Sequence, residues 1–170
     1  MKRHLGTPRP FVPWPDPRLR TPAEPVGTVD EAVHQILADM VATMVAMPGV
    51  GLAAPQIGVM RRLAVVDATG TGDEAVLMAD PVLIAASDRM RRHEEASPNL
   101  PGVSARLERP EWVEIGYLDP EGARVTRRFE GLWSTSAQHQ LDHLEGRMYF
   151  DRLSRLKRDM LLRKARKEIG

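Results

Sequence analysis

The stretch Gly49-Val50-Gly51-Leu52-Ala53-Ala54-Pro55-Gln56-Ile57-Gly58 has neither the 3.6-residue apolar period of a helix nor the two-residue period of a strand. A plain tight turn needs one or two glycines. Small residue after small residue, followed by one amide side chain, is what a backbone needs where it passes close to something, such as a bound peptide. The stretch follows the clearest helix in the chain. Thr28-Val29-Asp30-Glu31 has the form of a capping box, Val33, Ile36, Leu37, Met40, Val41, Met44 and Val45 recur at helical spacing, and Pro48-Gly49 ends the run. The methionines on this face read as core filler rather than a cofactor box, because the flexible thioether suits irregular interiors.

On the N-terminal side, Pro8, Pro10, Pro13, Pro15, Pro17, Pro22 and Pro25 are half of the fourteen prolines, and they predict an extended, wrapping arm over residues 1–27. On the C-terminal side, apolar or alternating runs at 63–66, 76–78, 82–85, 113–118 and 125–129 predict strands. Asp119-Pro120-Glu121-Gly122 predicts the turn of a hairpin between the last two. Ser134 or Thr135 is placed to cap a second helix that carries Ala137, Leu141 and Leu144 and ends near Gly146. Ser154 is placed to cap a third, basic helix over 154–168. Helix, strands, then helices, with no internal repeat, make an α+β chain, and 170 residues make a single domain, 1–170.

Lys+Arg (24) nearly balances Asp+Glu (23), with 42% hydrophobic and 28% charged residues, which excludes a disordered chain and a DNA binder driven by overall charge. No apolar run approaches the roughly 20 residues that cross a bilayer, and the proline-studded start lacks the apolar stretch of a signal peptide. The expected location is the cytoplasm, with no membrane partner. There is no cysteine, which excludes disulfides, thiol nucleophiles and thiolate metal ligands.

His139 and His143 lie four residues apart, one above the other on a helix, so two imidazoles can grip one ion. Alone this is a weak signal, since the same spacing is common on surfaces and in cores. His34 and His93 fit no constellation and are read as surface or interface histidines.

Taken together, three segments resemble the peptide deformylase family. Residues 49–56 resemble its Gly-x-Gly-Leu-Ala-Ala-x-Gln motif, His139-Gln140-Leu141-Asp142-His143 its His-Glu-x-x-His helix, and Glu95-Ala96-Ser97-Pro98-Asn99-Leu100-Pro101-Gly102 its Glu-Gly-Cys-Leu-Ser-x-Pro-Gly motif. Order and spacing match from about residue 16 to residue 167. The resemblance implies antiparallel sheets around a central helix that bears the two histidines. It also implies a divalent metal (Fe²⁺ or Zn²⁺) on His139, His143 and position 97, and water attack on the formyl group of an N-terminal Met. Position 140 would move the proton, and Gln56 with the backbone N–H of position 98 would hold the oxyanion. Gly49, Val50, Gly51, Leu52, Leu100, Pro101 and Gly102 would line the peptide.

Three of the positions to which the resemblance gives a chemical role depart from that pattern. Ser97 supplies neither the charge nor the soft sulfur of a thiolate, so the metal is expected to be weakly bound or absent, unless Glu94 or Glu95 replaces it as a ligand. Glu95 is the family's structural glutamate, for which Arg109 is the expected partner. Asp142 is expected to make structural hydrogen bonds. Gln140 cannot accept a proton, a loss worth ~10²–10⁴ in rate. Pro98 has no N–H, a loss worth ~10²–10³. Such losses do not simply multiply, yet even ~10⁴ off a typical turnover of about 10 s⁻¹ leaves ~10⁻³ s⁻¹. The expectation is a deformylase-like protein without normal activity that keeps a groove for formyl-Met peptides or nascent chains. The alternative is an active deformylase or N-acyl amide hydrolase with an altered metal shell. Between 152 and 167 stand eight Lys/Arg (Arg152, Arg155, Lys157, Arg158, Arg163, Lys164, Arg166 and Lys167) against Asp159 alone. This basic helix is read either as a ribosome contact or as a solvated face whose Leu153, Leu156, Met160 and Leu161 pack on the core.

Overall fold

In the computed structural model, which describes residues 5–169, Asp30 rather than Thr28 caps the first helix. Its carboxylate accepts from the Val33 N–H at 2.9 Å, and α1 runs Glu31–Ala46. Asp30 reaches the orphan amide from an extended backbone, a place that the Thr28 reading set two residues early. Ahead of α1 the arm is extended, apart from a 3-10 turn at Pro17–Arg20; its first four residues lie outside the described ones.

The residues after α1 take up regular structure despite their lack of periodicity. Gly51–Ala53 forms β1, and Ala54–Ile57 forms a 3-10 turn. The other strands are β2 (Leu63–Val66), β3 (Val76–Ala86), β4 (Met90–Ser97), β5 (Leu100–Pro110), β6 (Trp112–Leu118) and β7 (Arg124–Glu130). The two runs expected at 76–78 and 82–85 are one strand, its register with β6 shifting between Ala79 and Val82 across Asp80-Pro81. β4 and β5 were not expected at all. The hairpin turn at Asp119-Pro120-Glu121-Gly122 joins β6 to β7, with Gly122 N–H donating to Asp119 O.

One antiparallel sheet has the order β1-β2-β3-β6-β7, and β4 pairs with β5 as a second. α2 (Leu132–Leu144) packs on β1, β2 and β7 of the first sheet and on β5 of the second, so it is the central helix expected from the resemblance. Neither Ser134 nor Thr135 caps it. Its N-cap is Gly131 at φ 59°, a left-handed turn that glycine makes without a Cβ penalty, and the Ser134 hydroxyl donates instead to Pro110 O.

Three apolar clusters close the fold. Ala64, Val66, Met78, Ile115, Tyr117 and Phe129 face Ala137 and Leu144 of α2. Leu37, Met40 and Met44 of α1 pack on Leu52, Leu63 and Val65, so the methionines are core. Val12 and Leu19 of the arm join Leu107, Tyr149, Phe150 and Leu161. α3 (Arg155–Ile169), whose Lys157 N–H donates to the Ser154 hydroxyl, packs on β5. Its Leu161 is buried, whereas Leu156 and Met160 are 68% and 58% exposed, so those two do not pack on the core. They lie on the turn faces opposite Leu161 and Ala165.

Candidate functional site

A cleft of about 430 Å³ opens between the end of α1, β1, the inner edge of β4 and the start of α2. Gly49, Val50, Gly51 and Gln56 form one wall, Ser97, Pro98, Leu100, Pro101 and Gly102 another, and Leu132, Ser136, His139 and Gln140 the floor. The fold thus brings together every sequence-assigned residue of the three motifs except two. Leu52 points the other way, fully buried against α1, because alternate residues of a strand face opposite sides. His143 stands behind His139 and does not line the cleft. His93, expected at the surface or an interface, is half-buried on β4 and lines the cleft. His34 lies away from it, with its ring Nε2 2.7 Å from Pro120 O.

Gly51 shows why small residues are needed here. A Cβ at that position would stand 2.3 Å from Ser136 Oγ and 2.5 Å from Gln140 Nε2. β1 lies so close over the second and third turns of α2 that a Cβ here would force the Ser136 and Gln140 side chains to move.

His139 is held from behind, whereas the buried Nδ1 of His143 has no hydrogen-bond partner among the described residues. His139 Nδ1 is 2.8 Å from Glu95 Oε1, and the same carboxylate receives Arg109 Nε at 2.6 Å and Nη2 at 2.8 Å. Arg109 Nη1 lies 3.1 Å from Asp142 Oδ2, and Arg152 makes a bidentate pair with Asp142 at 2.8 Å for both bonds. Glu95 thus has the Arg109 partner expected for it, and Asp142 has its structural role. Burial raises the Glu95 carboxyl's pKa, but the hydrogen bonds from His139 and Arg109 outweigh that and hold it at about 2. Burial, and then the charges of His139 and Arg109, push His143 well below the usual histidine range, so this imidazole is neutral at pH 7.

The Nε2 atoms of His139 and His143 are 3.2 Å apart. Two nitrogens on one tetrahedral ion, each at about 2.0–2.1 Å, stand roughly 3.3 Å apart, so the pair fits two corners of a zinc or iron site. The third corner does not fit. Ser97 is neutral, and its hydroxyl donates to Asn99 Oδ1 at 3.0 Å. Among the described residues no third His, Cys, Asp or Glu joins the pair. Glu95 backs His139 rather than replacing the missing thiolate. As a set, these residues do not match a two-histidine, one-cysteine centre.

Asn99, which the sequence reading passed over, ties the two walls together. Its Oδ1 accepts from Gln56 Nε2 at 2.9 Å, and its Nδ2 donates to Val12 O at 2.6 Å and Gln56 O at 3.0 Å. Gln56 Oε1 in turn accepts from Ala53 N–H. The Gln56 amide, expected to hold an oxyanion, spends one of its two hydrogens on Asn99. Asn99 stood within the middle motif, one place past Pro98, so its difference from the motif's serine was the available signal.

The sequence profile of the family described as Polypeptide deformylase matches residues 8–159. The chain is 39% identical over 158 residues to a peptide deformylase of Rhizobium meliloti (strain 1021), covering 92% of this chain and 91% of the relative. It is 40% identical over 164 residues to one from Methylocella silvestris, covering 94% and 84%. Among solved structures, a peptide deformylase from Legionella pneumophila superposes with a TM-score of 0.88 at 39% identity, covering 94% of each chain. One from Ehrlichia chaffeensis in complex with actinonin superposes at 0.87 with 30% identity, covering 95% of this chain and 98% of that one. Sequence, fold and motif positions agree, and the chain belongs to the polypeptide deformylase family.

Proposed function

We propose that this protein holds the N-terminus of a peptide or nascent chain in the cleft without running normal metal-dependent deformylation. One observation carries the reading: the third-ligand, oxyanion and base positions meet in a single cleft, and all three bear residues that lack the required chemistry. Ser97 offers a spent hydroxyl, Pro98 no N–H, and Gln140 an amide that cannot take a proton from water. The walls that would contact a peptide keep the motif residues Gly49, Gly51, Pro101 and Gly102, with apolar Val50 and Leu100 at the variable positions between them.

The test is formate release from a formyl-Met tripeptide by the purified protein, anaerobically, with Fe²⁺, Ni²⁺ or Zn²⁺ and with a chelator control. The expected rate is at or below ~10⁻³ s⁻¹, four decades under an ordinary enzyme turnover. Chelator-sensitive turnover above about 1 s⁻¹ overturns the reading. It would establish the second one, an active hydrolase with an altered metal shell, which the 3.2 Å spacing of the two imidazole nitrogens favours.

On this reading the protein works in the cytoplasm, and α3 serves as a contact to the ribosome. Arg155, Lys157, Arg163, Lys164, Arg166 and Lys167 are all exposed around Leu156 and Met160. Phosphate contacts by such a helix make binding fall steeply with salt. Co-sedimentation with ribosomes that is unchanged when Arg163, Lys164 and Lys167 become Glu removes this role.

A further inference from the structure

The buried end of the cleft has surplus hydrogen-bond acceptors. Gln140 is 4% exposed, and its Oε1 has no hydrogen-bond partner among the described residues. Its neighbour fixes which way the amide points. The single hydroxyl hydrogen of Ser136 goes to Val50 O at 2.9 Å, so Ser136 Oγ can only accept, and the group facing it must be the Gln140 nitrogen. The oxygen is therefore the free end. The other hydroxyls that line the cleft are spent in the same way. Ser97 donates to Asn99 Oδ1 and Thr135 to Gly131 O, so both hydroxyls can only accept; Arg91 Nη1, at 3.5 Å, already serves Thr135.

Donors are correspondingly few. Position 98 has no N–H, and Gln56 has at most one hydrogen left after Asn99 takes the other. The ionisable side chains lining the cleft are His93, Glu94, Glu95 and His139, and no Lys or Arg is among them. A buried acceptor left without a donor costs free energy, and a ligand oxygen brought to it would add a second unpaired acceptor.

We infer that this end of the cleft takes the free α-ammonium of an unblocked peptide whose first side chain is apolar, in preference to a formylated N-terminus. An ammonium brings three donors to Gln140 Oε1 and the hydroxyl oxygens. A formyl amide brings one donor and a carbonyl oxygen that needs one. Val50, Leu100, Val103 and Leu132 offer the apolar side chain its walls. The inference rests on the peptide-cleft reading above and names its ligand: the product of formyl removal, not its substrate.

The experiment is titration of the full-length protein with Met-Ala-Ser and with formyl-Met-Ala-Ser, in chelator, followed by calorimetry and amide NMR. The unblocked peptide is expected to bind at least about tenfold tighter, the ratio typical when one buried polar group is left unpaired. Gln140→Leu should remove most of that preference by weakening the unblocked peptide alone. Asn99→Ser, which releases the Gln56 amide, should strengthen the formyl peptide. Equal or tighter binding of the formyl peptide to the wild-type protein overturns the inference and leaves the peptide-cleft reading standing. No shift of cleft amides with either peptide at millimolar concentration overturns both.

Discussion

Replacing Arg109 with Met tests whether the charges behind His139 form a working unit. Arg109 is 1% exposed and gives Glu95 two hydrogen bonds, at 2.6 and 2.8 Å, while Nη1 stands 3.1 Å from Asp142. Methionine fills much of the same space but leaves the Glu95 carboxylate with His139 as its only remaining side-chain partner. Asp142 suffers less, because Arg152 still holds it with two bonds. Stranding one member of a buried pair costs about 3–5 kcal/mol, a large share of the roughly 5–15 kcal/mol by which a domain is stable. The loss should depend on pH. In the wild type the lowered Glu95 pKa means that its stabilisation is full above the unfolded value near 4.5 and fades as pH falls towards 2. In the variant, burial without the guanidinium raises that pKa, so the carboxyl protonates on mild acidification and its penalty disappears. Urea unfolding of both proteins should give a difference near 3–5 kcal/mol at pH 7 that shrinks by up to about 1.4 kcal/mol per pH unit once the variant's Glu95 titrates. The double variant with Glu95→Gln should recover part of the loss at pH 7. A difference under about 1 kcal/mol, or one that is flat from pH 7 to pH 5, would refute the reasoning.

Three further outcomes follow from the site. In the wild type, acidification from pH 4.5 to pH 2 should remove about 3 kcal/mol through Glu95, and Glu95→Gln should flatten that part of the pH–stability curve. Gly51→Ala should cost about 1–3 kcal/mol in thermal unfolding and shift the Gln140 side-chain amide signals, because the new Cβ meets Ser136 Oγ at 2.3 Å and Gln140 Nε2 at 2.5 Å; an unchanged Tm and spectrum would show that β1 yields freely. The triple variant Ser97→Cys, Pro98→Leu, Gln140→Glu should gain tight metal binding and chelator-sensitive formate release, and metal binding without release would point to Asn99 as the remaining block.

How much of this was legible beforehand depends on what each element buries. α1 was readable because Val33, Leu37, Met40 and Met44 put one apolar stripe against the sheet, and only its first turn was misplaced, since Thr28 mimics a cap that Asp30 supplies. β4 could not be read by alternation. Its inward residues, His93, Glu95 and Ser97, are polar because they build the cleft and its ion pairs, so the usual apolar signal is missing where function is densest. β1 escaped for a related reason: three residues, all buried, carry no period. The motif residues were located by their spacing, and the identities at 97, 98 and 140 told which groups each position offers. What the neighbours of these residues do was not in the spacing. The orientation of Gln140 depends on Ser136 and Val50, and the diversion of Gln56 depends on a carboxamide forty-three residues away.

That carboxamide also couples the cleft to the arm. Asn99 holds the arm through Val12 O while it occupies the Gln56 amide, so one side chain serves both architecture and the polar surface of the cleft. A substitution that frees the Gln56 donor by removing this carboxamide also loosens the arm's anchorage beside Trp14, whose N–H bonds Asn99 O. The gain in the cleft and the loss in the arm arrive in one step, so the cost of changing position 99 depends on how firmly the arm is held elsewhere, and the order of substitutions, not only their identity, decides which variants stay folded.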